Sequence, residues 1–111
     1  MTQDLAARTC QPCTGDTAPL EAAEAGRMMS RLPEWQLSDD ARSMTRRFTF
    51  KGWARAVEMA NLAAWLGNSQ GHHPDIAFGW GYCAVTFTTH AAGGLTENDF
   101  ICAARLDALL G

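Results

Sequence analysis

Lys51 to Leu66 is the longest helical pattern in this chain, and it stands between two pairs of strand patterns. That order leaves few folds open. Within it Trp53, Val57, Ala60 and Ala64 recur at i, i+4, i+7 and i+11, while Met59, Leu62 and Leu66 form a second apolar stripe on a neighbouring face. One stripe suffices to dock a helix on a sheet. The second predicts burial against another subunit, although a small protein also leaves some apolar surface exposed.

Upstream of this helix, Trp35 to Leu37, the polar Ser38-Asp39-Asp40 and Met44 to Phe50 read as strand, turn and strand. Met44, Phe48 and Phe50 share one face and Thr45, Arg47 and Thr49 the other, with Arg46 interrupting the apolar side. Downstream, Gly67 to Gly71 ends the helix. Ile76 to Trp80 and Tyr82 to His90 then flank Gly81 as a tight hairpin. Tyr82, Ala84, Thr86, Thr88 and His90 face one way; Cys83, Val85, Phe87 and Thr89 face the other. Leu20 to Arg31 reads as a short helix stopped before Pro33. Thr96 to Asp99 opens a last helix, with a hydroxyl cap and acids in the first turn. Ala103, Leu106 and Leu110 are its docking stripe. The order αββαββα predicts an α+β fold, a four-stranded antiparallel sheet with helices packed on one face.

A chain of 111 residues makes one domain. Residues 1–18 are polar and small, broken by Pro12 and Gly15, and read as a mobile N-terminal arm; residues 19–111 are the domain. The formal charge of −3, with no run of Lys or Arg, argues against a nucleic-acid partner, which needs clustered cations. No uncharged stretch looks membrane-spanning. The start MTQDLAARTC has no apolar core of a signal peptide, so a cytoplasmic location is expected, where four cysteines stay reduced.

The chemistry is concentrated in three histidines. His72 and His73 precede Pro74, and His90 follows shortly after. Imidazole titrates near neutral pH and can both give and take protons. Three in one local unit point to acid–base work or to a metal. For zinc, His72, His73, His90 and Asp99 are conceivable ligands. The helical H-x-x-x-H spacing is absent, however, and His-His-Pro is awkward for shared ligation, so no metal is expected. Adjacent extended residues point to opposite sides, so His72 and His73 need not enter one pocket together. Cys10-Gln11-Pro12-Cys13 is a lone C-x-x-C without the second pair a structural zinc needs. It reads as two free thiols on the arm. Asp99 complements the helix dipole, or else orients a histidine or holds a polar ligand edge. Trp35 and Trp80 are core or rim aromatics whose flat faces would also suit a planar heterocycle.

His72-His73-Pro74, five residues, Trp80, nine residues, His90, eight residues and Asp99 together resemble the signature of the pterin-4a-carbinolamine dehydratases. The similarity runs from about Leu20 to the C-terminus and includes Trp35 and Arg47-Phe48-Thr49-Phe50. The family often has an acidic residue four positions before the first histidine; here it is Asn68, which can hydrogen-bond a pterin edge without charge. The resemblance implies loss of water from 4a-hydroxytetrahydropterin to give quinonoid dihydropterin. That is the activity of a 4a-hydroxytetrahydrobiopterin dehydratase, which recycles the cofactor of aromatic amino-acid hydroxylation. It implies catalysis by His72, His73 and His90, with His72 and His90 moving protons and His73 mainly binding. Asn68, Thr88, Thr89, Asp99 and Trp35 are then the substrate-binding residues. No cofactor is required, and a homotetramer, with a dimer next, is the expected assembly. Two alternatives stand beside this: a non-catalytic dimerisation partner of a regulatory protein, and an enzyme acting on another pterin, as in molybdopterin metabolism.

Overall fold

The computed structural model describes residues 5–12 and 16–111. Helix α1 spans Ala22–Met29, strand β1 Gln36–Leu37, β2 Met44–Thr49, α2 Trp53–Gln70, β3 Asp75–Gly79, β4 Tyr82–Phe87 and α3 Glu97–Leu110. The four strands form one antiparallel sheet in the order β1-β2-β4-β3. The α+β class and the element order are those predicted. Among the described residues no helix is long and apolar enough to cross a membrane.

Alternation along β4 decides which face of the sheet is covered. Cys83, Val85 and Phe87 are wholly buried, whereas Tyr82, Ala84 and Thr86 are half-buried on the other side. Met44 sits opposite Phe87 and Phe48 opposite Cys83, so β2 extends the same apolar face. Phe100, Ile101, Ala103 and Leu106 of α3 are buried too, and α2 and α3 complete the core around this face of the sheet. Arg46 lies opposite Val85, on the covered face. It is accommodated because its guanidinium donates to Asp107 of α3 at 2.6 Å and lies 4.4 Å from the centre of the Phe48 ring.

Helix α2 docks by a different stripe from either one expected. Ala56, Met59, Ala60, Ala63, Leu66 and Gly67 are buried, while Trp53 and Trp65 are 53% and 59% exposed. The buried face lies between the two predicted stripes. Small residues there let the helix approach its neighbours closely, and the bulky indoles turn outward. Trp53 rests on Phe78 of the edge strand β3, ring centres 5.7 Å apart. Met59 and Leu66 are therefore covered within the chain, and only Leu62 of the second stripe stays half-buried. The helix also runs on to Gln70 rather than ending at Leu66. Gly67 does not stop it; the left-handed Gly71 does. On α3 the docking stripe ends at Leu106, since Leu110 is exposed.

The described part of the predicted arm packs on the domain. Leu5 is buried, and Arg105 donates from Nε to the Arg8 carbonyl at 2.7 Å. Arg8 in turn pairs with Glu97 at 2.6 Å. Leu5 is the single bulky aliphatic side chain of residues 5–12 and has no local periodicity, so no short-range pattern in the sequence marks this contact. Cys13, half of the C-x-x-C, lies outside the described residues.

Candidate active site

The three histidines and Asp99 reach one place by three local devices. The first is the end of α2. Gly71, at φ 65°, turns the chain out of the helix, and the His72 N–H closes on the Gly67 carbonyl at 3.1 Å. The His72-His73-Pro74 segment then lies directly against the helix at Gly67. A methyl group there would come within 2.5 Å of Pro74 Cδ and 3.2 Å of the His72 carbonyl oxygen.

The second device is the end of β4. The strand stops at Phe87 rather than running to His90 as predicted. Thr89 exchanges backbone hydrogen bonds with Gly94, which closes a tight loop with His90 at its head in a single turn of 3-10 helix. His90 is thereby exposed on a fixed loop rather than held in the sheet.

The third is the first turn of α3. Asp99 is fully buried. Its Oδ2 accepts from the Thr96 N–H at 2.9 Å and from the Thr89 hydroxyl at 2.7 Å. Its Oδ1 lies 2.6 Å from His72 Nε2. A carboxylate only accepts, so Nε2 carries the hydrogen and Nδ1 is the nitrogen left for other work. The His72 ring also stacks on Phe87, with centres 6.2 Å apart and planes within 8°. Burial alone would lower the basicity of His72. The hydrogen bond and the charge of Asp99 outweigh that and raise it above the ordinary imidazole value.

His72, His73 and His90 line a common cavity of about 260 Å³ together with Thr88 and Thr89. Both adjacent histidines thus border one cavity, which strand alternation had not required; the turn after Gly71 is what allows it. Thr88 is held by donation to the Arg42 carbonyl at 2.6 Å. Asp99 acts from behind, through His72 and Thr89.

Trp35 and Asn68 are not brought to this cavity. Trp35 is buried against Phe87, and its ring N–H is spent on the Asp107 carboxylate at 3.0 Å. Asn68 is exposed on the last turn of α2, where its carbonyl accepts from Gly71. Trp80 is 72% exposed at the β3–β4 turn and does not border the cavity.

Five lining residues were not among those expected: Gln11, Pro12, Gly71, Ala91 and Asn98. The Asn98 side chain grips the Gln11 backbone like a neighbouring strand, accepting from its N–H at 2.9 Å and donating to its carbonyl at 2.5 Å. The one available signal was the Asn-Asp pair in a first helical turn, where side chains readily bond to nearby backbone.

The family model for pterin 4 alpha carbinolamine dehydratase matches residues 18–109. A protein of Aromatoleum aromaticum named "Putative pterin-4-alpha-carbinolamine dehydratase" is 46% identical over 109 residues, covering 98% of this chain and 97% of its own. A protein of the same name from Paracoccus denitrificans is 52% identical over 97 residues, 86% of this chain and 91% of its own. The crystal structure of a transcriptional coactivator/pterin dehydratase from Brucella melitensis superposes with a TM-score of 0.75 at 30% identity, covering 84% of this chain and 99% of that one. Family model, relatives and fold agree over nearly the whole chain, and this protein belongs to the pterin 4 alpha carbinolamine dehydratase family.

Proposed function

We propose that this protein dehydrates 4a-hydroxytetrahydropterin to quinonoid dihydropterin by imidazole acid–base catalysis, as a hydro-lyase. The observation that carries the reading is the cavity bordered by three imidazoles, one of them tethered to a buried carboxylate. The reaction breaks the C–O bond at the carbinolamine carbon and removes a proton from a ring nitrogen. The hydroxyl leaves as water once protonated, the nitrogen lone pair forms the new double bond, and a base takes the nitrogen's proton. One acid and one base near neutral pH suffice.

His72 suits the acid, because Asp99 favours its protonated form. His90, exposed on its loop across the cavity, is the partner base, and His73 mainly binds the pterin. Thr88 and Thr89 offer hydroxyls at the cavity wall, and Asp99 orients His72. No metal or redox cofactor enters this scheme. A homotetramer, with a dimer next, is the assembly proposed, and the cytoplasm the location.

A second reading, as a partner of a regulatory protein, is favoured by the likeness to the Brucella melitensis protein, which is called a transcriptional coactivator as well as a pterin dehydratase. A scaffold has no use for a histidine held by a buried acid, so we place catalysis first. The test is the dehydration rate of freshly generated 4a-hydroxytetrahydropterin with and without the protein. A rate no faster than the spontaneous one, with the protein folded, would leave the partner reading in its place.

A further inference from the structure

Two thiols far apart in sequence meet beside the candidate site. Cys10 Sγ lies 3.4 Å from Cys102 Sγ, joining the N-terminal segment to the second turn of α3. Bonded sulfurs sit about 2 Å apart, so the pair needs to close by only about 1.4 Å. The segment is already set for it: the Cys10 N–H donates to Gln70 Oε1 at 3.2 Å, and the next residue, Gln11, is gripped by Asn98.

The two sulfurs are not equivalent. Cys10 is half-buried, whereas Cys102 is wholly buried, so Cys10 is the more accessible of the two. The hydrogen bond from Cys102 holds the Cys10 thiol below its usual range against the effect of burial, and the positive charges of His72 and Arg105 add to this while Asp99 opposes it. The same hydrogen bond, with burial, pushes Cys102 far up. Cys83, in the core of β4, is pushed up by burial alone. A thiolate is the nucleophile in thiol oxidation, so the accessible sulfur is also the reactive one.

We propose that Cys10 and Cys102 are a peroxide-responsive dithiol, with Cys10 oxidised first and Cys102 resolving it to a disulfide that tethers the Gln11–Pro12 wall of the cavity to α3. The Cys10 thiolate attacks one oxygen of a peroxide. The O–O bond breaks, the leaving hydroxide takes up a proton as water, and Cys10 becomes a sulfenic acid. Cys102 loses its proton and attacks that sulfur. The S–O bond breaks, a second water leaves, and the S–S bond forms. Two thiols lose two electrons and one hydrogen peroxide gains them. Such a link fits a reducing compartment, where disulfides are transient and redox-sensing. It goes beyond the dehydration reading and does not depend on it, although the wall it tethers borders the same cavity.

The competing partner is Cys13, three residues along the chain, and the experiment separates the two. The full-length protein is treated with hydrogen peroxide, free thiols are alkylated, and the non-reduced digest is mapped by mass spectrometry. We expect a Cys10–Cys102 peptide, reversed by dithiothreitol, with Cys83 alkylated. Cys13→Ser should form the same link. In the double variant Cys13→Ser/Cys102→Ser, Cys10 should be trapped as a sulfenic acid by dimedone. A Cys10–Cys13 bond as the only product in the unmodified protein would overturn the proposal. So would a Cys10 that stays fully alkylatable in Cys13→Ser while free glutathione in the same tube is oxidised.

Discussion

Asp99 serves His72 and its own helix with the two oxygens of one carboxylate: Oδ1 sits 2.6 Å from His72 Nε2, while Oδ2 takes the Thr96 N–H at the start of α3. The carboxylate thus bonds both a helix terminus and a histidine, two of the three roles the sequence left open to it. The helix start thereby fixes the carboxylate, and the carboxylate fixes the tautomer and position of the imidazole.

Asp99→Asn keeps the shape and removes the charge. His72 should then lose the influence that raises its basicity, and the alkaline limb of the kcat profile should move to lower pH. Above both values, each unit of displacement lowers the protonated fraction about tenfold. A pH–rate profile of the two proteins checks this; an unmoved limb would mean that His72 is not the acid.

His72→Ala and His90→Ala should each lower kcat by about 10²–10⁴-fold, the range of a lost proton transfer, with a smaller effect on KM. His73→Ala should act mainly on KM. Exhaustive chelation should leave the unmodified rate unchanged. Loss of activity that zinc alone restores would make the histidines metal ligands instead.

The His72–Asp99 pair also makes stability depend on pH. The folded-state value of His72 is raised above its ordinary 6.5, so its contribution is fully present below about 6.5 and is lost as pH rises through the raised value. Urea unfolding of the unmodified protein and of His72→Gln should show a wider gap at pH 6 than at pH 8. A gap that is equal or wider at pH 8 would contradict the pairing.

Gly67→Ala should be costly despite the good helix propensity of alanine. The new methyl group would meet Pro74 Cδ at 2.5 Å and crowd the His72 carbonyl and His73 Cα, at a cost of roughly 1–3 kcal/mol. Displacing the His-His-Pro segment should also lower kcat/KM. Denaturant midpoints and steady-state rates measure both, and a variant of unchanged stability would mean that the segment yields freely.

Assembly is the remaining expectation. Met59 and Leu66 are covered within the chain, so a subunit contact on α2 falls to half-buried Leu62 and exposed Trp65. Light scattering should give a homotetramer, or failing that a dimer. Leu62→Glu or Trp65→Glu should split it, because an unpaired carboxylate buried at an interface costs several kcal/mol, roughly. A monomer at micromolar concentration for the unmodified protein would mean that this face is ordinary surface.

By itself the sequence determined the class and order of the elements, the faces of β4 and the start of α3. These are local properties: alternation, capping and turn chemistry act over a few residues and can be read where they stand. The histidine signature was likewise legible in types and spacing. Which face of α2 docks was not, because two apolar stripes competed and the choice fell on the small residues between them, a matter of how closely helix and neighbours can approach. Trp35 read as a core or rim aromatic whose flat face would also suit a planar ring. Only the fold shows its N–H committed to Asp107, 72 positions away. Tertiary structure alone decided that His72 meets Asp99, that Asn98 holds Gln11 against the cavity, and that Cys10 touches Cys102. Those pairs are separated by 27, 87 and 92 positions, and no short-range pattern records them. They form because the core brings the end of α2, the end of β4 and the first turns of α3 together, and the N-terminal segment then docks on what they have built.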